Sequence, residues 1–292
     1  MVTFGLPVFN GEQFLEDAIA SLRNQTYDDF EIIISDNAST DRTREISQRL
    51  ASEDDRIRYI RQTHNLGAAP NFNSIVAEAR GKYFKWMASD DLIDPRFLEC
   101  CVPLLENDPD CVLACSDVLE IDPDETVLNR VPPTEGATSR NTVERFGARL
   151  PMRHCYEVFG LYRTSVLRKT GLIPGASHGD GVLLCEMALH GPFCTSPDAL
   201  ISIRKHEGQS TNLHKDRVAY AEWFDARNKG RTVLPFTRMY REYARVILRS
   251  PAGIAEKARC TRLLWAQIGA RRDALRRELK RLVRGAVPRT RA

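Results

Sequence analysis

The feature that most constrains this chain is an alternation of strand-like and helix-like stretches over roughly its first 95 residues. Val2 to Val8 is a short apolar run that ends at Asn10-Gly11 and reads as a buried strand followed by a turn. Glu12 to Asn24 then places Phe14, Leu15, Ala18, Ile19 and Leu22 at helical spacing. Phe30 to Ser35 carries Ile32, Ile33 and Ile34 in succession, the pattern of a strand covered on both faces, as in a parallel sheet. Ser39 or Thr40 is placed to cap a helix running to about Leu50. Ile57 to Ile60 reads as a third strand, Asn71 to Ala79 as a helix, and Tyr83 to Met87 as a fourth strand ending at Ser89-Asp90-Asp91.

The fold class that follows is α/β with a mostly parallel central sheet. Such sheets bind ligands outside the carboxyl ends of their strands. Asn10, Asp36, Asn65 and the Asp90-Asp91 pair each follow a successive strand, so they are expected to converge on one crevice. Pro95 to Leu105 reads as a helix, Cys111 to Ile121 as a strand, Asp122 to Arg140 as a polar loop, and Leu200 to Arg204 as a late strand. Helical, increasingly basic sequence is expected from Lys215 onward.

Charge narrows the partners. The 292 residues hold 42 Lys and Arg against 39 Asp and Glu, so the chain is not a general polyanion binder. No aromatic-basic interleaving points to nucleic acid. No apolar run approaches the ~20 residues needed to span a bilayer. The N-terminus enters strand-like sequence at once and does not read as a signal peptide. The eight cysteines show no CxxC spacing and read as buried reduced thiols of a cytosolic protein.

Two adjacent carboxylates at a strand end repel one another unless a cation lies near. Mg²⁺ and Mn²⁺ favour oxygen ligands and diphosphates, which is one reading of Asp90-Asp91. The other is that Asp91 or Asp94 caps the helix near Pro95. Asp36 is suited either to a base N–H or ribose hydroxyl, or to a turn. No GxGxxG follows the first strand and no GxxxxGK[ST] occurs, which disfavours hydride transfer and P-loop chemistry. No Gly-rich stretch with Arg follows the first strand either, which weakens a sugar nucleotidyltransferase.

Taken together, the residues from Val2 to about Gly208 resemble the family 2 glycosyltransferases of the GT-A fold. The resemblance rests on Pro7-Val8-Phe9-Asn10-Gly11, Glu31 to Asp41, Asn65-Leu66-Gly67 with Asn71, Lys85 to Asp91, and Gly179-Asp180. It implies a Rossmann-type GT-A domain over residues 1–210 and a helical, basic extension over 211–292. Within the domain, residues 1–121 would bind the nucleotide-sugar, and residues 122–210 would form the acceptor side and supply the base. Pro7, Phe9, Asn10 and Asp36 would hold the nucleoside, and Asn65 and Gly67 would close over it. Asp90 would approach the ribose or donor sugar, and Asp91 would coordinate Mg²⁺ or Mn²⁺ on the diphosphate of a UDP- or dTDP-sugar. Asp180 would be the base, with the capping of its own helix as the alternative. His206 would reach the metal or diphosphate, and Arg204 and Lys205 would neutralise phosphate charge.

The function read from this is transfer of one sugar with inversion to a glycan or glycolipid acceptor, in the making of a cell-surface polysaccharide or glycolipid. The absent QxxRW signature of processive polymerases favours single transfers. A non-catalytic nucleotide-sugar-binding protein and a sugar nucleotidyltransferase are the competing readings. From Arg271 to Arg291 nine Lys and Arg face two acids, Asp273 and Glu278, around a stripe of Leu275, Leu279, Leu282, Val283 and Ala286. Such a helix reads either as a membrane-surface element or as a helix packed on its own domain. The expected location is cytoplasmic, with peripheral contact at the inner face of the plasma membrane under the first of these readings.

Overall fold

The computed structural model describes residues 1–150, 154–176, 178–209, 217–230 and 234–286. Its first part alternates as the sequence predicts. β1 (Val2–Val8), α1 (Leu15–Arg23), β2 (Phe30–Asp36), α2 (Thr43–Glu53), β3 (Ile57–Arg61), α3 (Ala68–Glu78) and β4 (Tyr83–Trp86) follow in turn. The four strands are parallel in the order β3-β2-β1-β4. β2 is buried at every position. Ile32 and Ile34 enter one core cluster and Ile33 the other, on opposite faces of the sheet. Each buried isoleucine contributes roughly 2 kcal/mol of burial, which favours a place inside the sheet, between β3 and β1, over its edge.

The chain then builds a mixed half. β5 (Leu92–Ile93), α4 (Phe97–Asn107), β6 (Leu113–Ile121), β7 (Val127–Val131), α5 (Thr142–Arg149), β8 (Leu161–Arg163), α6 (Thr164–Leu167), α7 (Gly179–His190) and β9 (Phe193–Arg204) follow in order. β8 joins the halves by running antiparallel between β4 and β6. β9 lies parallel to β6 and carries β5 antiparallel on its far side. The architecture is α/β of the GT-A-like, Rossmann type, with a curled, mostly parallel sheet and helices appended at the C-terminus.

Those helices are α8 (Arg217–Phe224), α9 (Pro235–Arg249), α10 (Ile254–Ala270) and α11 (Arg272–Ala286). Cys260 and Leu264 of α10 share a core with Phe146 of α5, Val182 of α7, and Met239 and Tyr243 of α9. The boundary expected at 210/211 lies outside the described residues. Among the described residues no helix is long and apolar enough to cross a membrane.

Four local expectations need correction. The stretch expected as a loop from Asp122 to Arg140 contains β7, which pairs antiparallel with β6. Neither Ser39 nor Thr40 caps α2, which begins at Thr43 with Arg42 at its N-cap, because Ser39 instead donates its N–H to Asp36 and Asp41 accepts from the Thr43 N–H. The late strand starts at Phe193, seven residues before Leu200, since its first half pairs with β6. Cys111 and Cys194, expected as thiols, are joined as a disulfide with Cα atoms 6.0 Å apart, because β6 and β9 run side by side there.

Candidate functional site

The strand order reverses at β1, whose neighbours are β2 and β4, and this is where an open α/β sheet leaves a crevice. Pro7 is buried within β1, and Phe9 beyond its end is 44 % exposed. Asn10 adopts φ 53°, and its side-chain oxygen accepts from the Thr40 N–H at 2.8 Å, while its own N–H donates to the Ser39 hydroxyl at 2.9 Å. The ends of β1 and β2 are thereby clamped together.

Asp36 closes β2 with no exposed surface. Its carboxylate accepts from the Ser39 N–H at 2.7 Å, from the Tyr59 hydroxyl at 2.7 Å and from the Arg61 guanidinium. Burial works to raise its pKa, but these donors outweigh it and hold the carboxyl below its ordinary value. Asp36 is thus placed at the crevice but turned inward, and a base N–H meets it only if Tyr59 or Arg61 gives way.

Asn65 and Gly67 form the next wall. The Asn65 side-chain oxygen accepts from the Gly67 N–H at 2.8 Å and from the Asn37 amide at 3.0 Å. Asn37 also accepts from the Leu66 N–H at 2.8 Å, so it stitches the end of β2 to this loop. Gly67 has φ 88°, and a Cβ there would lie 2.6 Å from the backbone nitrogen of Ala226. Only glycine fits at this position.

The acidic pair sits after β4. Asp91 does not cap α4, which begins at Phe97, and Asp94 instead accepts from the Arg96 N–H at 2.8 Å. Asp91 is 4 % exposed and accepts the backbone N–H of Arg204 at 3.0 Å. Burial first, then the charge of Asp90, push its carboxyl well above the ordinary range, against the pull of Arg204, Lys85 and Lys205. Asp90 lies 3.0 Å from Nε2 of His206, whose ring packs against Phe14 with centroids 5.0 Å apart.

Arg204 is placed otherwise than expected for a phosphate ligand. Its side chain is 2 % exposed and donates to the carbonyls of Asp90 at 3.1 Å and Pro123 at 2.8 Å, with Glu125 beyond. It braces the acidic loop. Lys205 is more open at 26 % exposure, and bonds the Tyr156 hydroxyl at 2.8 Å and Glu120 at 3.0 Å.

Lys85 is a residue whose part the sequence did not disclose. It is fully buried on β4, donates to the carbonyls of Trp86 and Phe159, and lies 4.8 Å from the Phe97 ring centre. Burial lowers it to about 7, against the charges of Cys101, Asp91 and Cys115. It links the acidic strand to Phe159, on the segment expected to face the acceptor. Trp86 is sheet packing, edge-on to Phe84 and Tyr162.

Asp180 is the second residue of α7, after His178 with φ 61°. It does not cap the helix. Among the described residues no donor meets its carboxylate, and burial pushes it up to about 6. Cys155, Tyr162 and Tyr220 are the groups whose ionisation it opposes.

The residues fit a divalent cation in one particular way. Among the described residues no three Asp, Glu, His or Cys side chains gather as a closed metal site. A carboxylate raised by burial and by its acidic neighbour, with no side-chain cation bonded to it among the described residues, is nevertheless where a hard cation lowers the energy. Mg²⁺ commonly binds through one or two carboxylates with substrate phosphates completing its shell.

Sheet order and crevice thus define a GT-A-like domain, and comparison with known proteins agrees. The family model described as "Glycosyl transferase family 2" matches residues 3–171, and the chain belongs to that family. A GalNAc(5)-diNAcBac-PP-undecaprenol beta-1,3-glucosyltransferase of Campylobacter jejuni is 39 % identical over 87 residues, 30 % of this chain and 28 % of its own. An uncharacterized glycosyltransferase of Methanocaldococcus jannaschii is 35 % identical over 134 residues, 46 % of this chain and 45 % of its own. The matched stretches span less than half the length of these relatives. Among solved structures, S. aureus TarS in complex with UDP-GlcNAc superposes over 92 % of this chain and 72 % of its own, with TM-score 0.67 and 18 % identity. The mannosyltransferase PcManGT of Pyrobaculum calidifontis, in complex with GDP-Man and Mn²⁺, covers 98 % of this chain and 79 % of its own, with TM-score 0.54 and 18 % identity.

Proposed function

We propose that the protein is an inverting glycosyltransferase that moves a single sugar from a nucleoside-diphosphate sugar to an acceptor hydroxyl on a glycan or glycolipid. The observation that carries this reading is Asp91, buried just ahead of β5 beside Asp90 and fastened to the last residue of β9. Structural relatives bound to UDP-GlcNAc, and to GDP-Man with Mn²⁺, support a nucleotide-sugar donor and a divalent ion. UDP or dTDP is the donor base we favour, and cell-surface polysaccharide or glycolipid synthesis the setting. The Campylobacter relative, named for an undecaprenol-linked acceptor, supports a lipid-linked substrate, and we place the reaction at the cytoplasmic face.

Asp91 would hold Mg²⁺ or Mn²⁺, with Asp90 and His206 at its edge. Bound there, the ion supplies positive charge where the leaving diphosphate becomes more negative. Lys205 faces the same end of β9 and adds a second cation. Phe9 offers an exposed ring beside the base, and the Asn65–Gly67 loop closes over the nucleoside. Asp180 takes the proton of the acceptor hydroxyl, and a carboxyl raised to about 6 is a stronger base than an ordinary aspartate while still ionised at pH 7. Holding donor and acceptor together supplies much of the rate.

The test is a transfer assay with UDP-, dTDP- and GDP-sugars against lipid-linked saccharide acceptors, reading nucleoside diphosphate release and product anomeric configuration. Inverted configuration with nucleoside diphosphate released supports the reading. Pyrophosphate released from a nucleoside triphosphate and a sugar phosphate would point to a nucleotidyltransferase instead.

A further inference from the structure

We propose that α10 and α11 form a footing that docks the protein on an anionic lipid surface, with Trp265 and Ile254 of α10 as its apolar anchors. The inference does not depend on the transfer reaction, since it concerns a surface remote in sequence from the crevice.

Two observations carry it. The first is an exposed apolar row. Ile254 is 89 % exposed and Trp265 66 % exposed, although Cys260 and Leu264 bury the opposite face of the same helix. At ~100° per residue Ile254, Ala258, Trp265 and Gly269 fall within about one sixth of the circumference. The Lys257 ammonium donates to the Leu248 carbonyl at 2.8 Å, which draws the end of α9, with Leu248 itself 74 % exposed, beside the start of α10. Exposed tryptophan is well suited to the headgroup region, where its ring is buried and its N–H stays hydrated.

The second observation is charge. Residues 254–286 hold ten Lys and Arg against three acids, whereas the whole chain holds 42 against 39. The remainder of the chain is therefore net negative, and the positive excess lies in α10 and α11. Arg259 and Arg262 stand on the exposed side of α10, and Arg272, Arg276, Arg277 and Lys280 are exposed on α11. The acids are largely withdrawn. Glu256 turns back to the Gly253 N–H at 2.8 Å, Glu278 is 3 % exposed and accepts from Phe236 and Thr237, and Asp273 alone stays open, 3.6 Å from Arg276. Arg262 lies one turn before Trp265 on α10. An exposed apolar row on a helix that also exposes arginines, with acids turned inward, matches an anionic bilayer.

The footing also connects to the site. α10 packs on α5 and α9, and α9 packs on α7, whose first turn carries Asp180. A docked α10 therefore holds the acceptor side of the crevice at a fixed attitude to the surface. The Leu279, Leu282, Val283 and Ala286 side chains of the expected α11 stripe lie outside the described residues, so the anchors named here are those of α10.

The experiment is co-sedimentation of the full chain with phosphatidylcholine vesicles and with vesicles containing phosphatidylglycerol, beside Trp265→Ala/Ile254→Ala and Arg259→Glu/Arg262→Glu variants. Circular dichroism checks that each variant is folded, which exposed positions permit. The expected result is binding to anionic vesicles only, weakened by salt, with a blue shift of tryptophan emission that the Trp265→Ala variant lacks. Replacing each arginine should weaken binding by at least about fivefold. Equal binding to both vesicle types, no binding to either, or unchanged binding by both folded variants would overturn the proposal. So would a concentration-dependent dimer, detected by sedimentation and abolished in the Trp265 variant, which assigns the face to a second copy.

Discussion

The backbone N–H of Arg204 donates to the carboxylate of Asp91 at 3.0 Å, across 113 residues of sequence. The last residue of β9 thus fixes one oxygen of Asp91, while the Arg204 side chain braces the Asp90 carbonyl. An acidic pair in a loop becomes a rigid feature because a distant strand end holds it.

Asp91→Asn keeps an oxygen for the Arg204 N–H and removes the buried charge. We expect activity to fall by at least about a hundredfold, in line with loss of a main electrostatic contact. Because burial and Asp90 oppose the Asp91 charge, the variant's melting temperature in metal-free buffer should equal or exceed that of the parent protein. Differential scanning calorimetry checks this, and a large drop in melting temperature would contradict it.

Asp180, raised to about 6, should impose a descending acid limb on kcat/KM with a midpoint near that value. Stability carries the opposite sign. A carboxyl raised on folding binds its proton more tightly in the native state, so its contribution is full below the unfolded value of 3.8 and is lost as pH rises toward about 6. Asp180→Asn should therefore be inactive yet more stable than the parent at pH 7, by on the order of 1 to 3 kcal/mol. That difference should disappear below pH 4, as urea titrations at the two pH values would record.

Gly67→Ala puts a methyl group 2.6 Å from the Ala226 nitrogen in a backbone with φ 88°. The expected loss is roughly 2 to 4 kcal/mol, or an equivalent displacement of the Asn65 loop. Denaturant unfolding measures the first, and weakened nucleotide binding with unchanged metal affinity reports the second.

Lys85→Met removes a buried ammonium and its bonds to the Trp86 and Phe159 carbonyls. A lysine lowered to about 7 penalises the folded state most below that pH, and the penalty is relieved as pH rises toward 10.5. Relative to the variant, the parent protein should gain stability between pH 7 and 9. Parallel pH profiles of thermal unfolding for the two proteins would contradict this.

Much of this arrangement was legible in the sequence. A run such as Ile32-Ile33-Ile34 is buried on both faces of a parallel strand, and polar residues just after such runs must lie at the crevice. What stayed hidden depends on long-range pairing. Lys85 looks like any polar residue in a strand until the Phe159 carbonyl is brought to it. The orientation of Arg204 is set by the Pro123 carbonyl and Glu125, in a stretch whose prolines suggested only a loop. Cys111 and Cys194 lie 83 residues apart and meet only because β6 and β9 are neighbours. Asp36 was placed correctly along the chain, but its partners Tyr59 and Arg61 come from the adjoining strand, and they turn it inward.

The most direct test of the central claim is calorimetric titration with UDP, dTDP and GDP, with and without Mn²⁺, beside Asp91→Asn. The expected result is binding of one nucleotide that requires Mn²⁺ and is lost in a folded Asp91→Asn protein. No binding of any nucleotide under either condition, or equal binding by the variant, would contradict the assignment of the Asp90-Asp91 crevice as the donor site.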